Sequence, residues 1–168
     1  MTKFGIKGEY YIQINIPTMF HNYNMTIKGH NMVVNKGIEF FFKKAITPLP
    51  TQDETNYHTT TGVIGQIAVG TGEEETTMET EDLTNLSKKF KYEPTNIVIE
   101  DNTLTISTEA NGSDLDGTTE IGVYTTQGVL ISRDTHYAYE LPTTSIIEIY
   151  YIYTMKNTEI IEEEEEED

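Results

Sequence analysis

The stretch NMVVNKGIEFFFKKAI (residues 31–46), followed after a Thr- and Pro-rich interval by IGQIAVGTG (64–72), decides the fold class. In the first, Val34, Ile38, Phe41, Phe42 and Ala45 recur with the spacing of an amphipathic helix stripe. Gly37 inside it costs about 1 kcal/mol relative to Ala, and Pro48 and Pro50 stop it. A single packed helix over residues 32–46 is expected. The second stretch is a near-continuous apolar run over 63–69, closed by Gly70-Thr71-Gly72, which predicts a buried strand ending in a turn.

Outward from this pair the chain alternates. Tyr10, Ile12, Ile14 and Ile16 share one face of a strand that Pro17 ends, and Tyr23, Met25 and Ile27 share one face of the next. Residues 9–28 therefore predict a hairpin. Residues 47–62, rich in Thr, Pro and Asn, predict a loop, as does the acidic stretch 73–82, with a helical turn at 81–86. Strands are expected at 97–100 and 104–108 around Asp101-Asn102, at 120–125 and 129–133 around Gln127-Gly128, and at 145–154. The last strand carries Ile147, Ile149, Tyr151 and Tyr153 on one face and Ile146, Tyr150 and Ile152 on the other, as a central or interface strand does. The expectation is an all-β, antiparallel β-sandwich, jelly-roll-like, with one packed helix. Its expected divisions are an N-terminal hairpin extension (1–28), the β-sandwich domain (29–156) and an acidic, disordered tail (157–168).

At 168 residues the chain is long enough to bury a core. Its 11 tyrosines, lack of Trp and Ile/Val-rich runs favour strands. The net charge is −17; seven of those charges lie in the tail 162–168, and the remainder is still acidic at −10. Eleven basic residues against 28 acidic ones argue against nucleic-acid binding. Basic protein surfaces and divalent cations are the electrostatic partners such a chain would attract. No run approaches the ~20 apolar residues of a membrane span. The start, MTKFGIKGEYY, has no apolar signal core, so secretion by signal peptide is not expected. Without cysteine there are neither disulfides nor thiolate metal sites.

Individual constellations each have a bland reading that outweighs the chemical one. Gly70-Thr71-Gly72 follows a strand as a phosphate loop does, but lacks the motif's lysine and precedes three glutamates that would repel a phosphate. Asn111, Asp114, Asp116 and Glu120 offer oxygen ligands without EF-hand spacing, and turn positions explain them. His21, His30, His58 and His136 are too scattered to imply zinc. Asp134 with His136, and Glu79 with Glu81, lack a nucleophile in a suitable context. The expectation is no catalytic residue, no metal and no cofactor. Arg133 is expected to pair with Glu120 across neighbouring strands, as a surface pair worth less than about 1 kcal/mol. The acidic tail reads as a solubilising segment or as a tether for a basic neighbour.

Four pieces in order carry a resemblance. Residues 31–46 read as N-x-V-x-N-x-G followed by an apolar residue, Ile67–Gly72 as I-A-V-G-T-G, and an acidic loop then leads to LTNLSKKF. Later, TEIGVYTTQGVLISRDT (119–135) contains E-x-G-h-Y at Glu120, Gly122 and Tyr124, then G-x-L-h-x-R at Gly128, Leu130 and Arg133, where h is apolar. This order resembles tailed-bacteriophage virion appendage proteins, the tail-fibre and tail-collar-like family, over about three quarters of the chain. Residues 1–28 and the acidic tail depart from that pattern, and no long receptor-binding region follows. The resemblance implies a non-enzymatic structural protein of a tailed-virus particle, located in the virion after assembly in host cytoplasm. As a head or tail appendage, adaptor, capsid or decoration subunit, it would assemble with other virion proteins as a homo-oligomer, a trimer being favoured. Tyr10, Ile12, Ile14, Tyr151 and Tyr153 are the expected assembly interface. The alternative is a host-surface receptor- or carbohydrate-binding module acting through loops 47–62 and 109–118.

Overall fold

The computed structural model describes residues 2–46, 64–85, 90–92 and 96–159. Its strands are β1 (Thr2–Pro17), β2 (Asn22–Val33), β3 (Ile64–Gly70), β4 (Phe90–Tyr92), β5 (Asn96–Glu100), β6 (Thr103–Asn111), β7 (Glu120–Thr125), β8 (Leu130–Thr135) and β9 (Ile146–Glu159). Helix α1 covers Asn35–Ile46, and a one-turn helix α2 covers Gly112–Leu115. The described strands form a curled, all-antiparallel sheet in the order β4-β3-β7-β8-β2-β1-β9-β6-β5. Among the described residues no helix is long and apolar enough to cross a membrane.

The curl centres on β2. Its residues 22–31 pair with β1, whereas Met32 and Val33 pair with Arg133 and Ser132 of β8. One half of the sheet is therefore β2-β1-β9-β6-β5, and the other is β8-β7-β3-β4. Period-two alternation sends Tyr10, Ile12 and Ile14 of β1 and Ile147, Ile149, Tyr151 and Tyr153 of β9 inward. There they form one core with Ile67, Val69, Ile121, Val123 and Ile131 of the other half. β9 lies between β1 and β6, the central place its apolar content on both faces predicted.

The second half is buried on its other face as well. Ala68, Tyr124 and Leu130 form a separate cluster with Val34, at the mouth of α1, and Leu83, from the β3–β4 loop. All six residues of β7 are consequently buried. Helix α1 approaches β8 closely at Gly37, where a Cβ would lie 2.1 Å from the Ile131 carbonyl oxygen. Phe40 is buried and Phe41 packs edge-on against Tyr153, the ring centroids 5.7 Å apart. The side chains of Phe42 and Ala45 lie outside the described residues.

Several expectations change. Residues 1–28 are no extension: β1 lies in the middle of the sheet between β2 and β9, and a boundary at 28/29 would cut β2. The tail boundary also moves, because β9 continues to Glu159, where Lys156–Glu159 pair with Gly5–Thr2. The helix begins at Asn35, four residues after the start of the quoted stretch, because 31–33 are still strand. No helical turn forms at 81–85, where the backbone N–H groups of 83, 84 and 85 are taken by side chains of β7. Leu86, where the expected turn ended, lies outside the described residues with 87–89 and 93–95, as do the loop 47–63 and the tail beyond 159.

Candidate functional site

In the β7–β8 register Arg133 stands opposite Gly122, so it reaches diagonally to Glu120 on the same face. Arg133 Nε and Nη2 donate to Glu120 Oε2 at 2.9 and 2.8 Å. The expected pair is present, but it is a core pair, not a surface one: the side chains are 1% and 0% exposed. Two buried charges are tolerable only when their remaining hydrogen-bonding capacity is met. The β3–β4 loop meets it. Glu120 Oε1 accepts N–H bonds from Gly72 (2.9 Å) and Asn85 (3.0 Å), Oε2 accepts one from Thr84 (3.0 Å), and Arg133 Nη2 donates to Thr84 Oγ1 (3.0 Å).

The glycines of the Gly70-Thr71-Gly72 turn exist for this contact. A Cβ on either would lie 2.5 or 2.7 Å from Glu120 Oε1. The turn, expected to be a plain glycine turn, cradles an anion after all, and the anion is the chain's own carboxylate. Four residues along β7, Tyr124 Oη accepts the Leu83 N–H at 2.9 Å and donates to Asp82. Burial, reinforced by Asp82, holds the Tyr124 phenol well above the usual tyrosine range. Lys36 of α1 pairs with Glu81 at 3.0 Å, and Asn35 N–H donates to the Met78 carbonyl at 2.9 Å. Residues 71–85 are pinned to β7, β8 and α1 along their length.

Beside this clamp lies a cleft of about 670 Å³ lined by Glu73, Thr119, Thr135, His136, Tyr137 and Ala138. Both walls hang from Thr118 and Thr119, just before β7. On one side Thr119 N–H donates to Gly70 O and Thr119 Oγ1 to Gly72 O, which sets the position of Glu73. On the other, His136 N–H donates to Thr119 O and Tyr139 N–H to Thr118 O, which sets Tyr137. His136 stacks on Tyr139 at 3.9 Å with the rings 10° apart, and its Nδ1 lies 2.8 Å from the Tyr137 carbonyl. A carbonyl only accepts, so Nδ1 carries the proton and Nε2 the lone pair. Burial lowers the His136 pKa, which keeps the ring neutral. Tyr137, held in this bracket, is 97% exposed.

The residues singled out by sequence fall elsewhere. Tyr10, Ile12, Ile14, Tyr151 and Tyr153 are all buried in the chain's own core, which corrects their assignment to an assembly interface. Their alternation reports a covered face, and here the chain itself covers it. Tyr10 stacks on Tyr151 at 5.5 Å and donates to Asp134 at 2.8 Å, while Tyr153 shares a hydrogen bond with Ser132. Asp134 and His136 do not form a catalytic pair, because the carboxylate is engaged by Tyr10 and the imidazole by the Tyr137 carbonyl. Burial raises the Asp134 pKa. The carboxylates once considered for calcium are dispersed: Asp114 caps the Asn111 N–H, Asp116 accepts from Leu141 N–H, and Glu120 holds the clamp. No group of three or more His, Asp or Glu that could hold a metal ion occurs among the described residues. His21 and His30 are exposed, and Glu79 and Glu81 lie on the surface of the pinned loop. His58 and loop 47–62 lie outside the described residues.

The clamp's sequence signals were a glutamate at the head of an otherwise uncharged strand and an arginine on the neighbouring strand. Tyr137, in the unpatterned segment THYAYE, had none. Comparison with protein-family models, with curated proteins and with solved structures returns no match.

Proposed function

We propose that the chain is a non-enzymatic structural subunit of a tailed-virus particle, a head or tail appendage, adaptor or decoration protein that acts by assembling with other virion proteins and with its own copies. The two halves of the curled sheet are read here as the two layers of a β-sandwich. One observation supports the reading most. The residues that carry the resemblance, Glu120, Gly122, Tyr124, Leu130 and Arg133, belong to the region where β7 and β8 receive the β3–β4 loop. They are architectural, so the resemblance rests on how the subunit is built.

The surface offers apolar groups for burial against neighbours. Met19 and Phe20, in the four-residue turn between β1 and β2, are 92% and 85% exposed. Ile97 and Ile99 lie exposed on β5, at an end of the sheet order. Strand edges and apolar knobs of this kind are what protein–protein association uses. These groups replace the five core residues as the expected contact surface.

Quantitative mass spectrometry of gradient-purified virus particles tests the proposal. A fixed copy number per particle is expected, with a trimer by light scattering of the purified protein. Absence from washed particles would overturn the structural reading, and a monomer at every concentration would overturn the trimer.

A further inference from the structure

We infer that the cleft between residues 71–73 and 135–138 receives lysine or arginine side chains from an extended segment of a partner protein. This deepens the assembly reading and rests on it. The cleft is built: its floor, Thr119, is bonded through N–H, carbonyl and hydroxyl to both walls, so Glu73 and the Tyr137 ring are presented from fixed backbone. Glu73 is exposed and forms no ion pair with any described residue.

The chemistry of the lining chooses the ligand. Glu73 can only accept hydrogen bonds. Thr119 Oγ1 has already donated its proton to Gly72 O and keeps lone pairs alone. His136, with its proton committed to the Tyr137 carbonyl, keeps an acceptor at Nε2 that is buried and has no partner among the described residues. Lysine and arginine head groups are donors without acceptors, the complement of this set. The exposed Tyr137 ring offers a face to the same cation. Anions are repelled by Glu73 in the lining, and the exposed Glu74 and Glu75 that follow it in sequence add to the negative charge. A neutral sugar could use the Thr135 and Tyr137 hydroxyls as donors, but it gains nothing from a chain whose net charge is −17. The volume exceeds that of one side chain, so a short basic stretch is the fitting ligand.

The test is calorimetric titration of a blocked Gly-Ser-flanked Arg-Lys-Arg peptide into the full chain at physiological salt. Glu73→Gln is expected to weaken binding about tenfold and Tyr137→Leu about fivefold. Glu163→Gln in the acidic tail, which removes the same unit of charge, is expected to change it less than twofold. Both cleft positions are exposed, and an unchanged melting temperature shows that the variants fold. No binding of the peptide, equal losses in the cleft and tail variants, or tighter binding of maltotriose or chitotriose than of the peptide would each overturn the inference. The particle measurement separates the two claims. A chain present in particles whose cleft ignores the peptide loses only the cleft assignment, whereas absence from particles removes the assembly reading.

Discussion

Strands β1 and β7 both occupy the interior of the sheet, yet they are held in different ways. β1 is buried on one face only. Tyr10, Ile12 and Ile14 point into the core, while Lys7, Glu9 and Gln13 point outward, with Lys7 and Glu9 paired at 2.8 Å. Apolar burial suffices there, at roughly 25 cal/mol per Å². β7 is buried on both faces, and the second face is closed by a loop with little apolar substance of its own beyond Leu83. Closing it takes a carboxylate and a phenol that accept from the loop's backbone N–H groups, and a guanidinium that donates to that carboxylate and to Thr84 Oγ1. An irregular loop cannot bond its own amides as a strand does, so covering a sheet with one demands polar partners in the core. The dependence of each half on a few residues differs accordingly.

Arg133→Ala attacks the difference most directly. It leaves the Glu120 carboxylate buried without its counter-charge, at a cost of about 3–5 kcal/mol. Urea unfolding should register that loss, and hydrogen exchange should quicken at Gly72, Thr84 and Asn85 before it quickens in β1. The double variant Glu120→Gln/Arg133→Met removes both charges together and should recover most of the stability. If the single variant unfolds no more easily than the double, the pair does not act as a charge clamp. In the other half, Ile149→Ala opens a cavity at a fully buried site and should cost about 3 kcal/mol. There the loss should spread evenly, with no preferential exposure of residues 71–85. A selective loosening of that loop by Ile149→Ala would erase the distinction between the halves.

Buried phenols give both halves a shared weakness at high pH. Burial raises the pKa of Tyr10, Tyr124, Tyr139, Tyr151 and Tyr153, with Tyr139 pushed up to about 12. A group whose folded pKa lies above its unfolded value of about 10 favours the fold fully below pH 10 and ceases to do so as pH rises through its folded pKa. For Tyr139 the window is pH 10 to 12, and its contribution is on the order of 2–3 kcal/mol. The urea midpoint should fall steeply across that window, and Tyr139→Phe should flatten part of the fall. Stability that stays level to pH 12 would contradict the burial of these hydroxyls.

The two halves also differ in how much of them the sequence revealed. β1 and β9 were readable because a one-faced strand writes its burial as period two. Alternation identifies a covered face but not who covers it, so Tyr10, Ile12, Ile14, Tyr151 and Tyr153 looked like a seam between copies. β7 was readable as a strand, and the Glu120–Arg133 pairing followed from strand neighbourhood. Its burial did not follow, because the partners of Glu120 are backbone N–H groups 35 to 48 residues away and backbone amides leave no mark in a sequence. The cleft was hidden for the same reason: Thr119 ties its two walls through main-chain bonds. Helix α1 was recognised from its stripe, but its first residues were misplaced because Met32 and Val33 satisfy the strand register with β8 and the helix pattern alike.

Gly37 gives the smallest effect and the clearest sign. On helix propensity alone, Gly37→Ala should stabilise α1 by about 1 kcal/mol. The structure opposes this, because the new Cβ would lie 2.1 Å from the Ile131 carbonyl oxygen and 2.8 Å from its carbon, both backbone atoms of β8. Neither can rotate away, so the helix would have to lift from the sheet and loosen the contact of Phe41 with Tyr153. Overpacking of this kind costs about 1–3 kcal/mol, which leaves a net loss of up to about 2 kcal/mol after the propensity gain. A lower urea midpoint for Gly37→Ala is therefore expected. A higher midpoint would mean that α1 stands farther from β8 than described, and that the second half of the sheet is closed by the pinned loop alone.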